Sequence, residues 1–174
     1  LDVSRMDKIK EIQKKDGYAV VEPGVICQSL NNALAPTHFF PPDPGSATIA
    51  SIGGMVSTNA SGNRAIKYGT TKDYIMGMEV VLADGRVMRT GSTAPKTSSG
   101  FDLVHLFCRA EGTLGVITEI TVKFLPMPEY IAFAQLWFPT VEDAGKTAEG
   151  ILGSGIPLSS CEILDRVSID VVNK

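Results

Sequence analysis

Glycine and small hydroxyl-bearing residues recur in the middle of the chain, where a backbone can approach a phosphate group closely. This stretch contains Ser51, Gly53, Gly54, Thr58, Ser61 and Gly62, together with the amide side chain of Asn59. Glycine leaves room for a ligand, and backbone N–H groups with small hydroxyls supply hydrogen-bond donors to a pyrophosphate. A single glycine pair would be explained by a tight turn or close helix packing. Several such clusters in one irregular stretch favour a dinucleotide ligand.

Other kinds of site find little support in the sequence. The strand, glycine-rich turn and helix of a Rossmann site are not present in the required order, and no P-loop is found. His38 and His105 are the only histidines, and each is expected to pack rather than to ligate a metal. No serine has the elbow pattern of a nucleophile, and Asp43 and Asp73 are far apart in sequence. We therefore predict no metal site and assign no catalytic residue.

Two features of the central stretch have both a structural and a functional interpretation. Pro42-Asp43-Pro44 is either a rigid turn or a wall that fixes a flat cofactor, because proline restricts the backbone before binding. Lys67 beside Tyr68 is either a solvated surface residue, the commoner case for lysine, or a cation that complements a phosphate charge.

Composition places the chain among ordinary globular proteins. It has 174 residues, of which 44% are hydrophobic and 20% charged. The net charge of -3 gives no indication of a nucleic-acid partner. Apolar runs such as Val80 to Ala83 are too short to span a bilayer, and lysines interrupt any early secretory signal. Three widely spaced cysteines fit reduced thiols, so we expect a cytoplasmic protein.

Hydrophobic periodicity predicts short helices and strands on both sides of the central stretch. Predicted strands cover residues 18–21, 75–83, 86–90, 116–124 and 131–138, with a tight turn at Asp84-Gly85. Predicted helices lie at residues 26–34, 102–107, 141–151 and from about 163 to the end. Residues 38–74 show no long periodic element, which is unusual unless the loop binds a ligand. Met6, Ile9 and Ile12 recur every three residues, and this spacing alone suggests a short helix.

A set of motifs occurs in an order that resembles one flavoprotein family. The motifs are Val21-Glu22-Pro23-Gly24-Val25, Pro42-Asp43-Pro44, Ser51-Ile52-Gly53-Gly54, Asn59-Ala60-Ser61-Gly62, Lys67-Tyr68-Gly69, Phe101-Asp102-Leu103 and Glu111 to Glu119. The set resembles the FAD-binding domain of the glycolate oxidase large subunit and D-lactate dehydrogenase group, in the vanillyl-alcohol-oxidase (PCMH-type) superfamily. The resemblance extends over nearly the whole chain, and the ordered set is far more specific than any one motif.

The resemblance implies an α+β fold in two parts. Residues 1–128 would be the second subdomain of a PCMH-type FAD-binding domain, with a mixed or antiparallel sheet flanked by helices. Within it, residues 1–21 would form a β-hairpin rather than a helix. Residues 129–174 would begin a ferredoxin-like cap domain for the substrate. The first subdomain, with its glycine-rich pyrophosphate loop, and most of the cap would be absent from this sequence.

The resemblance also assigns cofactor contacts residue by residue. Pro44 and Ser46 would line the flavin or ribityl region, and Ser51, Gly53 and Gly54 would lie at the pyrophosphate. Thr58, Asn59, Ser61 and Gly62 would contact the ribityl chain and isoalloxazine ring, and the backbone of Ile117 would bond the adenine or nearby groups. Arg109-Ala110 stands where the family often has Gly-Ser. The larger Arg109 is expected to fill space that a loop normally occupies.

The implied activity is oxidation of a D-lactate- or glycolate-type 2-hydroxyacid, with hydride transfer to N5 of FAD. The family's acid–base and metal groups would lie in the absent part, so we expect no turnover by this chain alone. The alternative is a non-catalytic remnant or binding module that needs a partner chain to hold FAD. Loss of one wall of the site would expose apolar surface, which a homodimer or a separate chain would cover.

Overall fold

A five-stranded antiparallel sheet organises the chain, as seen in a computed structural model that describes residues 1–94 and 96–172. The strand order is β1-β2-β6-β4-β5. These strands are β1 (Ile9–Gln13), β2 (Tyr18–Val21), β4 (Ile75–Val81), β5 (Val87–Gly91) and β6 (Val116–Lys123). A two-stranded ladder pairs β3 (His38–Phe39) with β7 (Leu125–Pro126). The α+β class and the antiparallel sheet are confirmed.

The chain opens with a β-hairpin, as the family resemblance implied and as the three-residue periodicity alone did not. Strands β1 and β2 pair antiparallel, with a register shift between Ile9 and Glu11. An extra residue in a strand reverses the alternation of faces beyond it. Ile9 and Ile12 therefore both pack against the core, although an even strand would direct them to opposite faces. The bulge accounts for a spacing that resembles a helix.

Helices cover one face of the sheet and share the core with its strands. α1 (Cys27–Leu34), which confirms the helix predicted at residues 26–34, buries Cys27, Leu30 and Leu34. The short α4 (Leu103–Phe107) has Asp102 as its N-cap residue. The side chain of Asp102 accepts a hydrogen bond from the backbone N–H of His105. The core is completed from the sheet by Ala19, Val21, Val80, Ile120 and Val122, each fully buried.

The central stretch is more regular than its sequence indicated. It contains α2 (Ile52–Thr58), α3 (Ala65–Tyr68) and a 3₁₀ turn at Thr71–Tyr74. The prediction of an irregular loop across residues 38–74 was wrong for these segments. Each helix is too short to show periodicity over several turns, and α2 is held by its cap and by the buried residues Ile52, Met55 and Val56.

The last part of the chain packs differently from the rest. α5 (Val141–Gly153) and α6 (Arg166–Val172) are formed, but none of the described residues after Pro128 is buried. The strand predicted at residues 131–138 is not formed. Extended backbone becomes a strand only when another strand accepts and donates its hydrogen bonds, and no described residue does so here. The predicted end of the last helix includes Asn173 and Lys174, which lie outside the described residues, as does Pro95.

None of the helices in the described part of the chain combines the length and apolar character that a bilayer crossing requires.

Candidate cofactor-binding site

Helix α2 runs through the predicted site, and its first turn is already satisfied by the chain itself. The backbone N–H of Ile52 donates to the carbonyl of Val25 at 2.7 Å, and that of Gly53 donates to the carbonyl of Pro23 at 2.8 Å. The N–H of Gly54 donates to Oγ of Ser51 at 3.2 Å. These donors are therefore occupied by protein acceptors, and a pyrophosphate at this turn would have to replace them.

Gly53 is required by packing within the protein. A Cβ added at Gly53 would lie 2.6 Å from Cβ of Pro23 and 2.9 Å from the carbonyl oxygen of that residue. Real Cβ atoms essentially never come this close to other atoms, so a side chain here would force the backbone to move. The glycine therefore lets α2 contact the turn after β2. The packing interpretation of this glycine is supported, and its predicted contact with the cofactor stays a prediction.

The far end of α2 carries Thr58 and Asn59. Thr58 Oγ1 donates to the carbonyl of Gly54 at 2.9 Å, and its side chain faces solvent. Asn59 ends the helix in the left-handed region, with φ of 51°. Its Oδ1 accepts a hydrogen bond from the backbone N–H of Lys72 at 2.9 Å, which fixes the side chain. Asparagine tolerates this conformation better than most residues, which explains its place at the turn.

Two predicted segments meet beyond this helix. The carbonyl oxygen of Asp43 lies 1.9 Å from the position of a Cβ added at Gly62, so only glycine fits there. Within the described part of the chain no acceptor faces the backbone N–H groups of Gly45, Ser46, Ser61, Gly62 and Asn63. These groups flank the contact, and all but Gly62 belong to exposed residues. They are available donors for an anionic or carbonyl-bearing ligand.

Ile117 lies in a cleft at the other end of the site. The cleft has a volume of about 350 Å³, and its lining includes Pro23, Gly53, Ser57, Glu111, Gly112 and Ile117. Strand β2 ends at Val21, opposite Ile120, so residues 116–119 of β6 have a described strand neighbour only in β4. The backbone of β6 therefore has a free edge here, and a flat ligand of nucleobase size fits the volume.

A neighbouring cavity of about 340 Å³ contains Ser51. Leu1 and Val3 line both cavities and lie between them. The structure thus brings Gly53 and Ile117 together and Pro44, Ser46 and Gly62 together. α2 joins the two groups.

The two ends of the site differ in charge. The cleft lining contains the carboxylate of Glu111 and no lysine or arginine, which suits the neutral adenine and ribose better than a phosphate. Arg64 and Lys67 lie near the other end, where Arg64 is the N-cap of α3 and Lys67 lies within that helix. Lys67 Nζ stands 5.1 Å from the centroid of the Tyr68 ring. This contact supports a local structural role for Lys67, which sequence analysis had left open.

The buried thiols contribute no reactive group to the site. Burial raises the pKa of Cys27 to about 11 and that of Cys108 to about 11. Both are therefore neutral at physiological pH, and the thiolate that reacts or binds metal is not populated. Among the described residues no group of His, Cys, Asp and Glu is arranged to hold a metal ion.

Sequence reasoning missed several residues of the cleft. Ser57, Glu111, Gly112 and Gly115 line it but were not among the predicted contacts. The signal was present, because the family motif that begins at Glu111 carries two glycines, Gly112 and Gly115. Gly115 is explained by packing, since a Cβ there would lie 2.6 Å from Cγ1 of Val80.

The loop at Glu111 is attached to the last turn of α2. The backbone N–H of Arg109 donates to the carbonyl of Val56 at 3.0 Å, and that of Glu111 donates to the carbonyl of Ser57 at 3.1 Å. Both residues adopt positive φ, 66° and 49° respectively. The side chain of Arg109 is exposed. Its predicted replacement of a loop stays a prediction. The cost of Arg109 is conformational, because its backbone has the geometry that glycine prefers.

Comparisons with known proteins agree with the family resemblance. The sequence profile of the FAD binding domain matches residues 1–91, and that of the FAD-linked oxidase C-terminal domain matches residues 127–174. The chain is 43% identical over 174 residues to mitochondrial D-lactate dehydrogenase [cytochrome] of Arabidopsis thaliana, covering 99% of this chain and 30% of that protein. It is 39% identical over 168 residues to glycolate oxidase subunit GlcD of Bacillus subtilis (strain 168), covering 96% of this chain and 36% of the relative.

A solved structure shares the fold. A crystal structure of alkyldihydroxyacetonephosphate synthase superposes with a TM-score of 0.76 at 26% identity, over 88% of this chain and 27% of that one. The chain thus spans about a third of the length of the relatives it matches. With its sheet, its glycine-rich segments and more than half of its length matched, this chain belongs to the FAD-binding-domain family of flavoproteins.

Proposed function

We propose that this chain supplies one wall of an FAD site in a flavin-dependent oxidoreductase of 2-hydroxyacids. The observation that carries the proposal is that two features adjoin α2. One is the cleft at Gly53, Ser57 and Ile117, whose lining has no lysine or arginine, and the other is the group of available backbone donors near Gly45 and Gly62. An elongated dinucleotide has a base at one end and a polar ring at the other, so it matches this arrangement.

The cleft is the proposed adenosine end. Adenine would lie against the free edge of β6 at Ile117, where backbone N–H and C=O groups would form hydrogen bonds with the base. The carboxylate of Glu111 and the hydroxyl of Ser57 are the polar side chains in the lining, and both suit hydroxyl or amino donors of adenosine. The absence of a cation from the lining argues that the phosphates lie elsewhere.

The turn around Gly62 is the proposed flavin end. Ser46, Thr58 and Ser61 are exposed there and offer hydroxyls, while Pro44 is buried and gives the segment a fixed backbone. Ser51, Gly53 and Gly54 form the intervening part of the wall in this proposal. Their backbone donors are occupied, so we assign the phosphates mainly to donors outside these residues. Asn59 is held by Lys72 and would present its side-chain N–H groups to the ligand.

Bound FAD would supply a two-electron acceptor for a hydride, and the protein would hold and orient it. The relatives named D-lactate dehydrogenase and glycolate oxidase make a D-lactate- or glycolate-type substrate our proposal for the intact enzyme. We assign no acid or base to this chain. We also propose a domain boundary at residue 128, with residues 129–174 beginning the substrate domain.

A titration of the purified chain with FAD tests the proposal. We expect quenching of flavin fluorescence and a shift of the visible flavin absorption band on binding. ADP should compete with FAD because it carries the adenosine end. A chain that changes neither signal at any FAD concentration, while its circular dichroism shows a folded sheet, would contradict the proposal and support a remnant that needs a partner chain.

Turnover is a separate question from binding. With FAD present and oxygen removed, D-lactate or glycolate should not bleach the flavin when this chain is alone. Sustained bleaching would show that the chain already contains the catalytic groups.

Light scattering on the same sample tests the expected homodimer or separate partner chain. We also propose a reducing, cytoplasmic compartment, which the free thiols of Cys27 and Cys108 support.

A further inference from the structure

We propose that Asp43 and Arg64 are positioning residues that fix the distance between the two segments at the flavin end of the site. The inference rests on the proposed function, because it concerns the wall that would hold the ring and ribityl chain. It assigns these two residues no contact with the cofactor. Their task is to keep the Pro42–Pro44 segment against the turn that follows α2.

The Asp43 carboxylate contacts Arg64 at two points, its backbone N–H and its side chain. Oδ1 of Asp43 accepts a hydrogen bond from the backbone N–H of Arg64 at 3.2 Å. Oδ2 of the same carboxylate lies 3.2 Å from Nε of Arg64. A carboxylate that accepts from a backbone N–H and stands at ion-pair distance from a guanidinium constrains both the separation and the orientation of the two segments. The residues are 21 positions apart in sequence, so the contact joins segments that the intervening chain alone would not hold together.

Aromatic packing extends the contact on the side of Arg64. Cζ of Arg64 stands 5.9 Å from the centroid of the Phe39 ring. Phe39 in turn meets Tyr68 edge to face, with ring centroids 5.5 Å apart. The guanidinium is therefore held between a carboxylate and an aromatic ring, which limits its movement although it is half exposed. The Asp43 side chain is less exposed, at 28%.

The backbones of the two segments are packed so closely at this contact that no side chain fits between them. Gly62 lies directly under the carbonyl of Asp43, where even a methyl group would overlap. The available donors of Gly45 and Ser46 are on one side of this contact, and those of Ser61 and Asn63 are on the other. A ligand that uses both sets requires them at a fixed separation. Losing the Asp43–Arg64 pair would let the separation vary and would weaken binding at this end only.

Three ligands separate a positioning role from general stability. FMN contains the ring and ribityl end, ADP contains the adenosine end, and FAD contains both. Asp43→Ala should weaken FAD and FMN about tenfold, the effect of one lost charge-assisted hydrogen bond. Asp43→Asn keeps an oxygen for the N–H of Arg64 and should weaken them about threefold. ADP affinity should be unchanged in both variants.

The hairpin turn between β4 and β5 supplies a matched control. There, Asp84 makes the same two contacts with Arg86, through Oδ1 to the backbone N–H at 3.1 Å and through Oδ2 to Nε at 2.7 Å. Asp84→Ala and Asp84→Asn should leave the affinities for all three ligands unchanged. Equal weakening of FMN and ADP by the Asp43 variants, or no weakening of either, would overturn the inference.

Amide hydrogen exchange tests the contact without any ligand. In Asp43→Ala the backbone N–H groups of Arg64 and Ala65 should exchange faster, while those of β4 and β6 keep their protection. Unchanged exchange at Arg64 would overturn the inference, whether or not flavin binds. A wild-type chain that binds none of the three ligands would contradict the proposed function alone, and the exchange result would still decide the role of Asp43.

Discussion

At the residue scale, the left-handed backbone of Arg109 is the clearest conflict between a side chain and its position. Its φ of 66° lies in a region where residues with a Cβ lose about 1 kcal/mol or more relative to glycine. The residue keeps that geometry because its N–H donates to the carbonyl of Val56 at the end of α2. The hydrogen bond needs only the backbone, so the side chain is dispensable.

Arg109→Gly should therefore stabilise the protein. We expect the free energy of unfolding to rise by about 0.5–1 kcal/mol, because relief of strain exceeds the greater freedom of glycine in the unfolded chain. Urea unfolding followed by circular dichroism measures the change. Arg5→Gly, at another exposed arginine whose backbone has negative φ, should lower the stability or leave it unchanged. A loss of stability in Arg109→Gly would contradict the strain argument.

Gly62→Ala should have the opposite effect. The added methyl would overlap the backbone of Asp43, which cannot move aside as a flexible side chain would. We expect a loss of about 1–3 kcal/mol, the usual cost of forcing extra volume into a packed contact. Gly45→Ala, where a Cβ meets nothing within 4 Å, is the control and should be nearly neutral. Thermal unfolding of the two variants side by side gives the comparison.

The sequence motifs predicted which residues belong to the candidate site. They did not predict the physical reason for each residue type. The glycine at 62 was expected to face a cofactor, and the structure shows that its missing side chain makes room for Asp43. The glycine at 53 likewise makes room for Pro23. A sequence shows that a position lacks a Cβ, but the atom that would occupy the space comes from a distant segment.

At the element scale, the solvent face of the sheet places two carboxylates directly opposite each other. Glu79 of β4 is the register partner of Glu119 of β6, and like charges in this arrangement repel. Cations on either side offset the repulsion. Arg89 of β5 donates to Glu79 at 2.7 Å, and Lys10 of β1 donates to Glu119 at 2.8 Å. This row of two carboxylates between two cations runs from β5 to β1.

This row makes stability depend on pH in the acid range. The hydrogen bond from Thr118, followed by that from Arg89, lowers the pKa of Glu79 below its usual value. A carboxyl with a lowered pKa in the folded state stabilises the fold above its unfolded pKa. That contribution is lost as pH falls through the folded value. We expect the melting temperature of the wild type to fall more steeply than that of Glu79→Gln as pH drops below about 4.

The control is Glu129→Gln, at an exposed glutamate beyond the sheet. Its melting temperature should follow that of the wild type at each pH. Parallel curves for the wild type and Glu79→Gln would show that the side-chain bonds of Glu79 do not couple protonation to folding.

Elements were predictable where one segment carries its own pattern. The hairpin of β4 and β5, the helix α1 and the cap at Asp102 were all read from local sequence and are confirmed. The predicted strand at residues 131–138 failed because strand formation depends on a neighbour that local sequence does not specify. The bulge in β1 misled the periodicity for a related reason, since a register shift is a property of a pair of strands.

At the scale of the whole molecule, the core lies entirely within residues 19–124. The described residues after Pro128 bury no side chain, although they contain large apolar groups such as Phe133 and Trp137. Stability should therefore come from the first part of the chain, and the second part should behave as an attachment to it. This distribution supports the proposed division at residue 128.

A chain ending at Pro128 should unfold cooperatively with nearly the same stability as the full chain. We expect a difference below about 1 kcal/mol, or a few degrees in melting temperature, because no buried contact is removed. Scanning calorimetry of the two proteins measures it. A chain ending at Gly115 is the control, since it lacks β6, which lies between β2 and β4, and should not fold. A large loss on cutting at 128 would show that the last residues pack against the sheet.

Family membership and fold class could be predicted from the sequence, because seven ordered motifs constrain the whole chain at once. The division of the site into a cleft and a donor-rich turn could not. It depends on where β2 stops beside β6 and on which amides find partners, and both are outcomes of tertiary packing.

Helix α2 has a consequence for how this protein tolerates insertions and deletions. Seven residues span about 10 Å at 1.5 Å per residue, and Ser57 and Asn59 near its end are tied to the loop at Glu111 and to Lys72. One added or deleted residue would shift everything beyond it by about 1.5 Å and rotate it by about 100°. The segments attached to the two ends of this helix therefore keep their relative position only at its present length, and we expect changes of chain length to be tolerated only in surface segments away from it.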